Sequence, residues 1–301
     1  MNQLPLSTRV QIITMLTEGN SLRATSRMTG TSINTVTKLL VDVGRACQNF
    51  HNNTVHNVAA SRVQCDEIWS FVYSKQKNVP DDKEGEAGDV WTWVALDSDS
   101  KLVISWLVGS RDVDSATIFM QDLASRLKDR VQLTTDGHKA YREAVRVAFG
   151  KNVDFAQLVK MYAGEGTQSA EKKYSPAEVT GTKKMTRVGN PDSKSVSTSH
   201  VERQNLTMRM NMRRFTRLTN AFSKKVENHC YAIALHFVYY NFVRIHKSLR
   251  VTPAMEAGLT KELWTVENIV KLVDQDIQER PIKPVHTQDN LNKFWESEDF
   301  I

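Results

Sequence analysis

Apolar positions in the first fifty residues recur at helical spacing. Val10, Ile13, Met15 and Leu16 predict a helix that Ser7 is placed to cap, running through Glu18 to a stop at Gly19-Asn20. Ser21 to Met28 predicts a short second helix, and Thr29-Gly30-Thr31 a turn. Ser32 is placed to cap a third helix carrying Val36, Leu39, Leu40 and Val43. A short helix, a glycine turn and a second helix within residues 1–47 form the helix-turn-helix pattern. Residues 48–62 are polar without a clear period and read as a linker.

At Val63 the period changes. Val63–Tyr73, Val90–Asp97 and Leu102–Gly109 are apolar runs rich in β-branched and aromatic residues, joined by polar loops, and predict an antiparallel meander. Asp114 is placed to cap a helix carrying Ile118, Phe119, Leu123 and Leu127. Val131–Thr135 reads as a fourth strand, Lys139–Phe149 as a helix and Asn152–Val159 as a fifth strand. The order βββαβαβ predicts an α/β domain with a mixed sheet. Residues 160–198 are rich in Gly, Ser, Thr and Lys and read as an insertion, the kind of long loop that is functional or mobile. Two helices follow, Ser199 to about Phe215 and about Ser223 to Val243. Residues 261–301 read as a tail with one helix near Thr265–Ile277. Trp69, Trp91, Trp93 and Trp106 fall in strands and are assigned to the core.

Composition refines this picture. Of 301 residues, 40% are hydrophobic and 25% charged, which suits a globular chain with a real core. The net charge of +6 is unevenly spread. Ser199–Arg250 holds ten Lys/Arg against Glu202 and Glu227, a net +8, and leaves −2 for the remainder. Such a stretch reads as a surface for a polyanion, although a solvated helical face has the same composition. Cys47, Cys65 and Cys230 form no CxxC pair, which argues against a zinc module or a disulfide framework and fits a reducing, cytoplasmic setting. The N-terminus has no signal pattern. The apolar stretch at Cys230–Val243 is too short for a bilayer, so no membrane partner is expected.

Three acids occupy informative places: Asp66 on the first predicted strand, Asp136 at the end of the fourth, and Glu202 in the first turn of the helix at Ser199. Ligands collect at the carboxyl ends of strands in α/β sheets. Carboxylates there supply the hard oxygen donors that Mg²⁺ prefers, and crowded carboxylates repel one another until a cation arrives. Each acid also has a plainer explanation. Asp66 and Glu67 alternate on a strand and either can face solvent; Asp136-Gly137 is a turn dipeptide; Ser199-His200-Val201-Glu202 fits a capping box. On a helix turning about 100° per residue, Glu202, Leu206, Arg209 and Arg213 share one arc, while Val201, Met208, Met212 and Phe215 form an apolar stripe. Near the start of the third helix, Asn34, Thr35, Thr37 and Lys38 are side chains suited to base edges and phosphates. His138, Lys139, His200 and Arg203 flank the acids.

The stretches CDEIWSFV (Cys65–Val72), LTTDGHKAY (Leu133–Tyr141) and SHVERQNLTMRMNMRRFTR (Ser199–Arg217) resemble the three catalytic blocks of DDE transposases, most of all the insertion-sequence-one family within the retroviral-integrase-like superfamily. YYNFVRIHKSLRVTPAMEAGLT (Tyr239–Thr260) is similar to the ending of many such cores. The resemblance implies a ribonuclease-H-like catalytic domain over residues 63–260, in which the first and fourth strands are neighbours. It implies Asp66, Asp136 and Glu202 as a triad for two Mg²⁺ (or Mn²⁺) ions. Double-stranded DNA, as element ends and as target, is the implied partner, with Arg203, Arg209 and Arg213 along it and a homo-oligomer assembled on it. The sixty-five residues between Asp136 and Glu202 exceed the spacing typical of the family, and the segment at 160–198 accounts for the excess. The family's N-terminal Cys-based zinc module has no counterpart here. An inactive DNA-binding regulator and a nuclease that hydrolyses without joining remain open alternatives.

Overall fold

The computed structural model describes residues 4–162, 179–216 and 219–278. Three helices come first: α1 (Leu6–Thr17), α2 (Leu22–Thr29) and α3 (Ile33–Thr54). Ser32 caps α3 as the pattern predicts, and Ser21, read as the first residue of the second helix, caps α2; each accepts from a backbone N–H three residues on. Gly30, at φ 65°, makes the left-handed stop between them. Ser7 does not cap α1, which starts one residue earlier behind Pro5.

Residues 48–54 are not a linker, because α3 continues through them. The inward groups there are polar, so periodicity missed them: Gln48 and His51 are buried, and the His51 ring lies 4.2 Å from Trp106. Phe50 packs on Phe242 and Trp264.

A six-stranded mixed sheet follows, with helices packed against it. Its strands are β1 (Arg62–Val72), β2 (Gly88–Asp97), β3 (Val103–Gly109), β4 (Gln132–Asp136), β5 (Asp154–Tyr162) and β6 (Val179–Val188), in the spatial order β3-β2-β1-β4-β5-β6. β1–β2, β2–β3 and β5–β6 are antiparallel; β1–β4 and β4–β5 are parallel. Helices α4 (Val113–Arg126) and α5 (Ala140–Phe149) cover one face, where Trp93 meets Phe119 and Tyr141. The cap of α4 is Asp112, two residues before the expected Asp114. Trp93 is fully buried as expected, whereas Trp69, Trp91 and Trp106 are only half-buried.

The segment at 160–198 is not wholly an insertion. β5 runs to Tyr162 and β6 pairs along it. β6 (VTGTKKMTRV) is largely exposed on both faces, so no alternation marked it, and its lysines suit a sheet edge. Residues 163–178 lie outside the described residues.

On the other face lie α6 (Ser199–Asn211) and α7 (Val226–Val238), the latter extended by a π-helical turn at Tyr239–Val243. Ser70 of β1 bonds His229 of α7 at 3.0 Å. Asn241, fully buried in the π turn, pairs with both backbone groups of Val103 at the sheet edge, at 3.0 and 2.8 Å. After a short helix α8 (Pro253–Glu256), α9 (Val266–Gln278) buries Ile269 and Val270 in the same core as Ile12, Ile13 and Val43. The expected tail therefore begins with a packed helix, tied to α1 through Arg9–Asp274 at 3.2 Å. Among the described residues no helix is long and apolar enough to cross a membrane.

The contact between α3 and α7 is tightest at Gly44. A Cβ there would lie 2.3 Å from the Tyr231 carbonyl oxygen and 2.5 Å from its Cβ. We predict that Gly44→Ala lowers stability by about 1–3 kcal/mol, because overpacking outweighs the better helix propensity of alanine. Urea denaturation monitored by circular dichroism measures this; an unchanged or higher midpoint would mean that the two helices do not pack this closely.

Candidate active site

The site is built by strand pairing. β1 and β4 run parallel with Cys65 beside Thr135, so Asp136, the last residue of β4, emerges beside Asp66, which lies midway along β1 rather than at a strand end. One carboxylate oxygen from each of Asp66, Glu67 and Asp136 lies within 4.8 Å of the others. The turn after β4 is fixed by its own bonds. Asp136 accepts from the His138 N–H at 2.9 Å, and the buried Gln157 side chain donates to the carbonyls of Asp136 and His138.

Glu67 was the unexpected member. Alternation sends it to the opposite face from Asp66, yet it is buried rather than solvent-facing. It accepts from Tyr141 at 3.0 Å and from Arg111 at 2.7 Å. Arg111 lies over the Trp91 ring at 4.6 Å and reaches to 4.0 Å from Asp136. Arg111 and Tyr141 are 44 and 74 residues away in sequence, and only the fold brings them to Glu67.

The position of α6 follows from Gln64. Its side-chain oxygen accepts from the backbone N–H groups of His200 and Val201, at 2.9 and 3.2 Å, satisfying orphan donors of the first helical turn. One turn further, Asn205 donates to Asp66 at 2.9 Å. Glu202 therefore lies on the Asp66 face of the sheet, but its carboxylate is outside the tight cluster. It accepts from Lys160 of β5 and from the Thr198 hydroxyl. It does not close a capping box, since no backbone N–H donates to it in the helix start.

The electrostatics follow the crowding. Burial, then the charges of Glu67 and Asp136, push the Asp66 carboxyl up to about 7. Burial and Asp136 raise Glu67 as well, against the opposing pull of Arg111. The donor set fits a hard divalent cation: clustered carboxylates with too little countercharge, and beside them the buried Asn205 side-chain oxygen, which lacks a partner.

The expected DNA-contacting residues divide into groups. Asn34, Thr35 and Lys38 are exposed and Thr37 is half-buried, with Lys38 paired to Asp42 at 2.9 Å. Arg203 is exposed on α6 and Arg209 half-buried. Arg213 leaves the expected helical arc. The chain turns extended at Met212, burying Met212 and Phe215, and Arg213 begins a 3-10 turn beyond the helix end. His138 is half-buried, while Lys139 and His200 are exposed. Arg217 lies outside the described residues. Compared with models of known families and with curated proteins, the chain matches none.

A raised carboxyl carries a definite sign. The folded metal-free chain holds a proton on Asp66 that the unfolded chain has lost, so this group's contribution to stability falls as pH rises from about 4 to about 7. A divalent cation binds the ionised form. The rise in melting temperature on adding Mg²⁺ is therefore predicted to grow between about pH 6 and about pH 8 and to vanish in Asp66→Asn. Differential scanning fluorimetry reads both. If Glu202 completes the set, Glu202→Gln diminishes the shift and Glu67→Gln leaves most of it; the reverse order would exchange their roles.

Proposed function

We propose that this chain is a DDE-type DNA transposase: it cleaves DNA at the ends of a mobile element and joins the freed 3′-hydroxyl to target DNA, on a ribonuclease-H-like core. The observation that carries this reading is the pairing of Asp66 and Asp136 on the first and fourth strands, with Gln64 holding the α6 helix that bears Glu202 over the same face. The strand order agrees with the neighbouring first and fourth strands that the sequence resemblance implies.

Asp66 and Asp136, with Glu202, would hold Mg²⁺ or Mn²⁺. When bound, two such ions activate the attacking oxygen and stabilise the leaving one. The chain's own residues supply position and charge. Asn205 orients Asp66. Arg111, braced by Glu67 and Trp91, offers a guanidinium beside Asp136 to a phosphate oxygen. Lys160 neutralises Glu202 and must release it for Glu202 to act as a ligand. In this reading α2 and α3 form a helix-turn-helix that contacts double-stranded DNA, and the active species is a homo-oligomer assembled on it.

In the first step water attacks phosphorus and the bond to the 3′-oxygen breaks, leaving a 3′-hydroxyl and a 5′-phosphate. In the second that hydroxyl attacks a target phosphorus and releases the target's 3′-oxygen. Both are in-line displacements at one site. An inactive regulator has no need of Asp66 and Asp136 side by side with Glu202 on the same face of the sheet. Purified protein with Mg²⁺ and labelled element-end DNA is predicted to nick and then join, and Asp136→Asn to lose both steps, by about a hundredfold or more, while still binding DNA. Cleavage without joining would make the chain a nuclease; joining by Asp136→Asn at the wild-type rate would remove Asp136 from the mechanism.

A further inference from the structure

Apart from the carboxylate cluster, a cleft of about 960 Å³ opens between the N-terminal helices and the segment that follows α6. Arg23 and the α3 residues Asn34 and Thr37 line one side; Arg213, Arg214 and Lys224 line the other. No aspartate or glutamate is among the described residues that line it.

Arg214 is the centre of the argument. Its Nη1 donates to the Asn228 carbonyl at 2.8 Å, and among the described residues no carboxylate pairs with it. Burial alone holds its guanidinium down to about 10. An arginine stays charged even so, and a half-buried guanidinium facing an open cleft without a counter-ion is placed to take an anion. Ser223 and His236 also line the cleft, although the Ser223 hydroxyl and His236 Nε2 themselves are buried beneath its surface. Three arginines, Arg23, Arg213 and Arg214, and Lys224 thus share one space that no described acid lines. They match an anion with several acceptor oxygens. The cleft also holds Phe222, whose ring is 5.2 Å from Phe71, and side-chain amides including Asn34 and Asn220. Cations, an aromatic face and amides together suit a nucleotide strand better than a free phosphate.

We propose that this cleft binds a single strand of DNA, with a phosphodiester on Arg214 and a base against Phe222. The volume lies within the range of about 300–1,000 Å³ typical of ligand clefts, which admits a short run of nucleotides. The assignment rests on the reading of the chain as a DNA-processing enzyme and gives Arg213 and Lys224 a strand to hold. An unpaired strand is what an enzyme that opens DNA ends must control.

The test uses the full chain in EDTA with a fluorescein-labelled oligothymidylate of about six nucleotides, read by anisotropy. Wild type is expected to bind with an affinity that falls as salt rises. Arg214→Met is expected to bind at least about tenfold more weakly, the loss of a charge-assisted bond. It should melt close to wild type, since the group removed is half-buried and makes one hydrogen bond, to the Asn228 carbonyl. Should Arg214→Met fail to fold, Lys224→Glu at the exposed rim reads the same loss. Wild-type affinity in these variants, no binding by wild type, or displacement of the strand more readily by matched duplex or inorganic phosphate than by unlabelled strand would each overturn the proposal. Asp136→Asn is expected to bind the strand as wild type does. Strand binding that survives without any Mg²⁺-dependent cleavage would sink the transposase reading alone; cleavage without strand binding would sink only this one.

Discussion

At Gly44 the backbone of α3 lies against Tyr231 of α7 with no room for a methyl group. Because the helices meet this closely, the N-terminal helices share one buried core with the sheet domain. α7 is in turn tied to β1 through His229–Ser70 and to the β3 edge through Asn241. Helix α9 closes the arrangement against α1 and α3. A rigid mount of this kind has a functional consequence. The start of α3 is held at a fixed place relative to Arg213, Arg214 and Lys224, so the cleft between them is a built feature of the fold rather than the gap between two independent domains.

The carboxylate cluster is a second constraint and acts in the opposite sense, since it destabilises the fold that holds it. Three acids gathered where the middle of β1 meets the end of β4 repel, and burial makes each charge harder to keep. The structure offsets this with Arg111 on Glu67, Lys160 on Glu202 and Asn205 on Asp66. These contacts leave Asp66 with a raised proton affinity. Sites whose carboxyls are crowded more than their own cations can balance are suited to recruiting a divalent cation. The two basic elements of the chain thus have different partners. Arg111 and Lys160 face carboxylates, whereas Arg214 faces a space lined by no acid.

The sequence by itself determined the elements and the acids. Hydrophobic period located α1, α2, the start of α3, β1 to β5 and α4 to α7 within a few residues, because each buries an apolar stripe or face. It placed Asp66 and Asp136 on the first and fourth strands, and the family resemblance implied that those strands are neighbours. The tertiary structure decided everything that depends on a polar group being buried or a chain turning. The extension of α3 through His51 was illegible because its inward residues are polar, and β6 because neither of its faces is buried. Glu67 looked like a residue free to face solvent until Tyr141 and Arg111 arrived from distant segments. Arg213 left the helical arc because burying Met212 and Phe215 bends the chain beyond Asn211. Local spacing specifies which side chains lie on one face of one element. Only the packing of elements decides which of those faces meet, and so which charges find partners and which, like Arg214, do not.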